Sequence, residues 1–290
     1  MTDKPASRTA VLVCQGRAVA HDRLAIGAFS DPIAAQLLRE DEREAVRRAR
    51  AGEPPRGWRD RLEYEMLTAT AAVLATRTAV IDDAIRAGGA GQLVILGAGL
   101  DGRAWRMSEP AAEVFEVDHP ASQADKRERA AALSPVAKSL THVPVEFGRD
   151  DLGARLADAG HRNAVATTWI WEGVLPYLTQ AQVESTLAIV AARSAPGSRL
   201  IATYPTPNRF AGLGRAGMRI YSTLTGARDP LADEPHLSAW SPAEMDALLT
   251  RFGLTVTSDV ELIEVARRLE VPAHRSRAYG LGRVVIADRE

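Results

Sequence analysis

Gly97, Gly99 and Gly102 stand in LVILGAGLDGR with the spacing G-x-G-x-x-G. Asp118 follows about 20 residues on, at the tip of a second apolar run, VFEVD. Glycines there let the backbone pass close to a ligand, and an acid ending the next strand accepts hydrogen bonds from ribose hydroxyls. A unit of this form binds an adenosine-containing cofactor, with Ala98 inside the same turn. The spacing does not separate a nicotinamide dinucleotide from S-adenosylmethionine, since both carry an adenosine ribose. The bland alternative is a tight strand-to-helix turn with no ligand. Asp101, also in the turn, would repel a pyrophosphate and tolerate a sulfonium cation, although Arg103 beside it could neutralise that charge.

Other residues extend this chemistry. Arg77 falls on an apolar helical stripe formed by Leu62, Met66, Ala69, Val73, Val80 and Ala84. A buried arginine needs an anionic partner, and the carboxylate of an amino-acid moiety would supply one. An internal salt bridge or a snorkelling side chain is the alternative. Glu172, just past the apolar run TTWIW, is placed to bind an ammonium group or a ribose hydroxyl, or simply to favour a helix N-terminus. Glu146-Phe147 ends the run HVPVEF, where an acid can accept from an adenine amino group while the ring packs on the base. An ordinary strand-end carboxylate is the other reading. Glu116 shares the period-2 face of Asp118, so either acid could meet a ribose. Trp169, Trp171, Tyr177, Tyr204 and Trp240 flank strand ends and could line an apolar acceptor pocket or belong to the core.

These residues need a scaffold. From residue 91 onward, β-rich runs at 93–97, 113–117, 142–147, 164–171, 199–204, 254–260 and 283–288 alternate with helical patterns at 121–133, 150–160, 179–195 and 241–252. Glu264 to Leu269 continues as a helical pattern. Such alternation predicts a mostly parallel, doubly wound sheet covered on both faces. Residues 7–90 read as helical, broken near 52–57 and near Asp31-Pro32. We therefore expect a helical N-terminal cap over 1–90 and an α/β core over 91–290. An insert at about 205–240 is longer than a normal crossover and suits a lid.

Composition narrows the classes. The 290 residues carry 36 basic and 37 acidic side chains, a net charge of -1, which gives no broad footprint for nucleic acid or an anionic membrane. Cys14 is the only cysteine, so an intrachain disulfide and a cysteine-rich metal site are excluded. His21, His119, His142, His161, His236 and His274 lack metal-ligand spacing, so no metal is expected. No G-x-S-x-G occurs to support covalent catalysis. With no signal-like or membrane-spanning run, the expected location is the cytoplasm.

LGAGLDGRAWR, FEVDHP with Lys126 following, and WEGVLPYL together resemble the leucine carboxyl methyltransferase family. They are most similar to its bacterial branch of S-adenosylmethionine-dependent O-methyltransferases, some of which act on polyketides. The resemblance covers about 60–210 well and extends weakly to the carboxyl end. It implies the α/β class I methyltransferase (Rossmann-like) sheet, seven-stranded with one antiparallel strand. The arginine-threonine motif falls on Arg77-Thr78 and implies that Arg77 holds the methionine carboxylate. The turn motif falls on Gly97, Ala98 and Gly99, and the strand-ending acid on Asp118. The family's Asp-Leu pair at the adenine falls on Glu146-Phe147, a departure that keeps the acid and enlarges the apolar contact. Glu172 would lie near the methionyl amino group, and Tyr177 would face the acceptor as the catalytic candidate.

The expected reaction is methyl transfer from S-adenosyl-L-methionine, leaving S-adenosyl-L-homocysteine, to an oxygen of a small secondary metabolite, preferably a carboxylate. An ionised carboxylate needs little general-base help, so catalysis would be mostly in-line alignment. A phenolic acceptor would need a base, for which His236 in the insert is the remote candidate. Two alternatives stand beside this reading. One is an NAD(P)-dependent oxidoreductase using the same turn, although no Tyr-x-x-x-Lys is found. The other is a non-catalytic nucleoside-binding module. No nucleic-acid or membrane partner is expected, and oligomeric state is left open.

Overall fold

The computed structural model describes residues 8–108, 112–207, 237–272 and 282–290. Gln92–Leu96 forms β1 and is buried at every position, as suits a strand covered on both faces. The remaining strands are β2 (Glu113–Asp118), β3 (Ser139–Pro144), β4 (Thr167–Trp171), β5 (Arg199–Pro205), β6 (Thr255–Glu261) and β7 (Gly282–Asp288). They form one sheet in the order β3-β2-β1-β4-β5-β7-β6. β7 pairs antiparallel with both neighbours while the other pairs are parallel. The sheet is therefore seven-stranded with one reversed strand. Its direction of winding switches between β1 and β4, and a crevice opens at the carboxyl ends of strands at such a point.

The helices are α1 (Arg8–Ala20), α2 (Glu40–Ala51), α3 (Trp58–Gly88), α4 (Arg103–Arg106), α5 (Pro120–Arg129), α6 (Leu152–Asp158), α7 (Gln180–Ala192), α8 (Pro242–Arg251) and α9 (Leu262–Arg268). Alternation along β1 sends Leu93 and Ile95 to one face and Val94 and Leu96 to the other. The first face is covered by α1, α3 and α9, with Leu67, Ala71, Ala75 and Ile85 of α3 in the same cluster as Cys14 and Ala18 of α1. The second is covered by α6, α7 and α8, where Leu156, Leu187 and Leu249 meet Trp169 and Trp171. Of the five aromatics singled out above, Trp169, Trp171, Tyr204 and Trp240 belong to this core.

Three expectations shift. The third strand spans 139–144 rather than 142–147, because its partner β2 ends at Asp118, the residue that pairs with Pro144. Val145 to Phe147 run on past its end, with Val145 N donating to Asp118 O at 2.9 Å. The fourth strand starts at Thr167, not 164. The helical N-terminal region contains turns from 21 to 39, where Asp22 and Ala25 adopt positive φ (57° and 50°). The break after α2 falls where expected, with Gly52 left-handed at φ 71°. Most of the 205–240 insert, including His236, and also His274, lies outside the described residues. Among the described residues no helix is long and apolar enough to cross a membrane.

Candidate functional site

A cavity of about 730 Å³ opens at the carboxyl ends of β1, β2, β4 and β5 and is walled on one side by α1. Arg77, Gly97, Ala98, Gly99, Asp118, Phe147, Glu172 and Tyr177 all line it. Glu146 is the one expected site residue that does not. Its partly exposed carboxylate accepts from Arg149 at 2.8 Å.

The turn after β1 forms because its glycines adopt conformations that L side chains avoid, with φ 70° at Gly97 and 47° at Gly99. A Cβ on Gly97 would run into the side chain of Val174, and one on Gly99 would lie 3.2 Å from Ala10 Cβ of α1. Both Gly97 N and Ala98 N donate to Val117 O. The tip of β2 is stitched to the same turn, since Asp118 Oδ2 accepts from Gly99 N and Oδ1 from His119 N, each at 2.6 Å. Each carboxylate oxygen keeps a further lone pair for a ligand. Glu116 is fully buried away from the cavity, with Lys126 Nζ at 2.7 Å and His142 Nδ1 at 3.5 Å. Asp118 is therefore the acid of the pair that faces the cavity.

Arg77 on α3 and Glu172 after β4 meet at 2.7 Å across 95 residues of sequence. Burial alone would raise Glu172, but Arg77 and Arg103 overcome it and hold the carboxyl at about 2. The pair belongs to a chain of ionic contacts. Arg103 reaches Glu172 at 2.9 Å, Asp82 at 2.8 Å and Asp101. Arg106 joins Asp82 at 2.6 Å and Asp31 at 3.7 Å, and Arg17 of α1 joins Asp31 at 2.9 Å. Four arginines thus balance four acids, so none of these largely buried charges stands uncompensated.

Sequence reasoning missed Arg17, Asp31, Asp82 and Arg106. The available signal was the run RTAVLVCQGRAVA, in which Arg17 interrupts an otherwise weakly polar helix whose residues 14–20 are all buried. The electrostatic argument from Asp101 does not survive, because Arg103 neutralises it and holds it well below the usual carboxylate range against the effect of burial. Cys14 lies on the buried face of α1, donates to Ala34 O at 3.2 Å, and is pushed up to about 12 by burial. It has no nucleophilic role. Among the described residues no group of three His, Cys, Asp or Glu could hold a metal ion.

The donor set fits an adenosylated amino acid. A cation and an anion lie side by side for a zwitterion, a carboxylate on a strand tip suits a ribose, and an aromatic ring suits a base.

Residues 10–191 match the family model described as leucine carboxyl methyltransferase. A protein of Mycobacterium sp. (strain JLS), assigned as an S-adenosyl-L-methionine-dependent methyltransferase, is 36% identical over 302 residues, covering 97% of this chain and 91% of its own. One of Streptomyces coelicolor with the same assignment is 41% identical over 141 residues, covering 46% of this chain. The chain spans about half the length (48%) of that curated relative. A structure from Thermobifida fusca YX, assigned as a methyltransferase, superposes with a TM-score of 0.53 at 17% identity, covering 100% of this chain and 96% of its own. Magnesium protoporphyrin IX methyltransferase from Synechocystis PCC 6803, with bound S-adenosylhomocysteine, gives 0.50 at 13% identity, covering 89% and 99%. At such identities these likenesses show the fold alone, which is that of the class I methyltransferases.

Proposed function

The chain belongs to the leucine carboxyl methyltransferase family, whose cofactor is S-adenosyl-L-methionine, and from that premise we propose that it transfers the cofactor's methyl group to an oxygen, preferably a carboxylate, of a small molecule such as a polyketide-type metabolite. The observation that carries this reading is the Arg77–Glu172 pair on the wall of the cavity. Two opposite charges, held in place by Arg103 behind them, match the carboxylate and ammonium of one amino-acid end.

When bound, the cofactor supplies a methyl group already activated on a sulfonium. Arg77 would offer parallel N–H groups to its carboxylate, and Glu172, ionised down to about 2, would hold its ammonium. The turn Gly97–Ala98–Gly99 would let the backbone lie against it. Asp118 would accept from the ribose hydroxyls, Phe147 would pack on the adenine, and Glu146 would turn from Arg149 to accept from the adenine amino group. Tyr177 would stand against the acceptor as the catalytic residue. Among the described residues that line the cavity there is no histidine, which favours an acceptor already ionised over one that needs a base. We assign residues 1–90 to a cap, 91–290 to the core and the insert at about 205–240, most of it outside the described residues, to a lid. The reaction would serve secondary metabolism in the cytoplasm without a nucleic-acid or membrane partner.

The test is calorimetric titration with S-adenosylhomocysteine, NADH and NADPH on wild type and Arg77→Ala, followed by methyl transfer to carboxylic acids and phenols. We expect binding of S-adenosylhomocysteine alone, weakened at least tenfold in the variant, and turnover of carboxylates before phenols. This expectation follows from the cost of leaving a buried charge unpaired, about 2 kcal/mol or more. Binding of a nicotinamide cofactor would replace this reading with the oxidoreductase one.

A further inference from the structure

One end of the cavity carries a polar cluster apart from the residues assigned above to the cofactor. The hydroxyl of Tyr204 on β5 donates to Asp259 Oδ2 on β6 at 2.6 Å. Asp259 Oδ1 accepts from Arg283 Nε on β7 at 2.9 Å, and Arg283 Nη1 donates to Glu261 at 2.7 Å. Register brings them together, since Tyr204 pairs with Arg283 and Arg283 with Glu261. Tyr204 and Arg283 line the cavity. They stand one and two strands beyond β4, whose end carries Glu172, which is about 5–10 Å at the usual strand spacing. An acceptor lying over β4 to reach the methyl group would extend onto them.

The polarity of the cluster is fixed by its chemistry. A carboxylate holding a guanidinium can only accept, so the phenolic proton of Tyr204 is committed to Asp259. Burial and that hydrogen bond raise the phenol further above its ordinary value and keep it neutral. Arg283 also donates toward the phenolic oxygen, so what the largely buried Tyr204 has left to offer the cavity is one lone pair. The one guanidinium faces two carboxylates, so this end of the cavity does not attract a second anion. A group that is neutral and donates a hydrogen bond fits it.

Resting on the small-molecule acceptor reading above, we propose that Tyr204 is a specificity-determining residue of an acceptor subsite, where its oxygen accepts from a neutral hydroxyl remote from the oxygen that takes the methyl. A site that hydrogen-bonds a hydroxyl rejects the analogue lacking it, because its own polar atom is then left unpaired.

The experiment is calorimetric titration of the protein, saturated with S-adenosylhomocysteine, with pairs of probes differing by one hydroxyl. Hydroxylated and unsubstituted benzoic and alkanoic acids would serve, together with the matching phenols and alcohols. In the wild type we expect the hydroxylated member to bind at least tenfold more tightly. Tyr204→Phe should erase that preference while leaving S-adenosylhomocysteine affinity unchanged. Asp259→Asn is the sharper test. Its amide oxygen must face Arg283, so its NH2 must face Tyr204, which reverses the hydrogen bond and frees the phenolic proton. The preference should then move to a keto or methoxy group, a reversal that a merely structural tyrosine would not produce. Absence of any hydroxyl preference in the wild type, or a preference that survives Tyr204→Phe, overturns the proposal. Methyl transfer to phenols or alcohols but never to carboxylates would instead overturn the carboxylate preference and leave the Tyr204 subsite standing.

Discussion

Glu172 and Glu116 sit at the same end of the sheet with carboxylates withdrawn from water, at 9% and 0% exposure. Burial pushes both upward, yet Glu172 is held at about 2 while Glu116 rises to about 7. The difference lies in their company. Glu172 meets two guanidiniums, Arg77 and Arg103. Glu116 meets one ammonium, Lys126, and feels the repulsion of Asp101 and Asp118. Depth alone does not decide whether a buried acid is ionised; the number of cations aimed at it does. The same contrast separates their roles. Glu172 lines the cavity as a permanent anion, and Glu116 braces α5 against β2 behind the cavity wall.

The contrast can be broken most severely at Arg103. It contacts Asp82, Asp101 and Glu172 at once, so Arg103→Met would leave three acids short of charge. We expect a loss of about 3–5 kcal/mol of stability in urea unfolding, with S-adenosylhomocysteine affinity falling alongside. A loss below about 1 kcal/mol would mean the remaining arginines suffice. Lys126→Met should cost less, about 1–3 kcal/mol. Glu116 already titrates near neutrality and can take up a proton instead of remaining a bare anion, an escape that the cavity acids lack. Repeating the unfolding at pH 5.5 should shrink the Lys126→Met loss and leave the Arg103→Met loss nearly whole.

How legible each region was in the sequence follows the same division. The Gly97-to-Asp118 unit was readable because its parts lie within one strand-turn-helix-strand segment. Arg77 was readable because it interrupts an apolar stripe. The Arg103–Asp101 pair was readable from adjacency, but the other partners of Arg103 and those of Arg17 and Arg106 were not, because pairs such as Arg103–Asp82 and Arg17–Asp31 form only once separate elements pack. Apolarity misled at β3, where Val143 to Phe147 has the composition of a strand but the partner strand β2 ends at Asp118. The Tyr204 cluster had no linear signature either, since its members come from three strands joined by pairing.

The finest test of the contrast is the proton on Glu116. An acid whose folded value, about 7, exceeds its ordinary 4.5 binds more protons folded than unfolded between those limits. Stability from this group is therefore greatest at low pH and declines as pH rises from about 4.5 to 7, with a slope of at most about 1.4 kcal/mol per pH unit. His142 works in the opposite sense. Burial and the nearby Lys126 and Arg127 lower it from 6.5, so its protonation costs stability as pH falls. The wild-type curve mixes the two, and the informative quantity is the difference between wild type and Glu116→Gln, which cancels His142 to first order. That difference should favour the wild type increasingly toward pH 5 and flatten above pH 7. A flat difference throughout would mean Lys126 keeps Glu116 ionised, making it a second Glu172 and removing the distinction between bracing and binding acids.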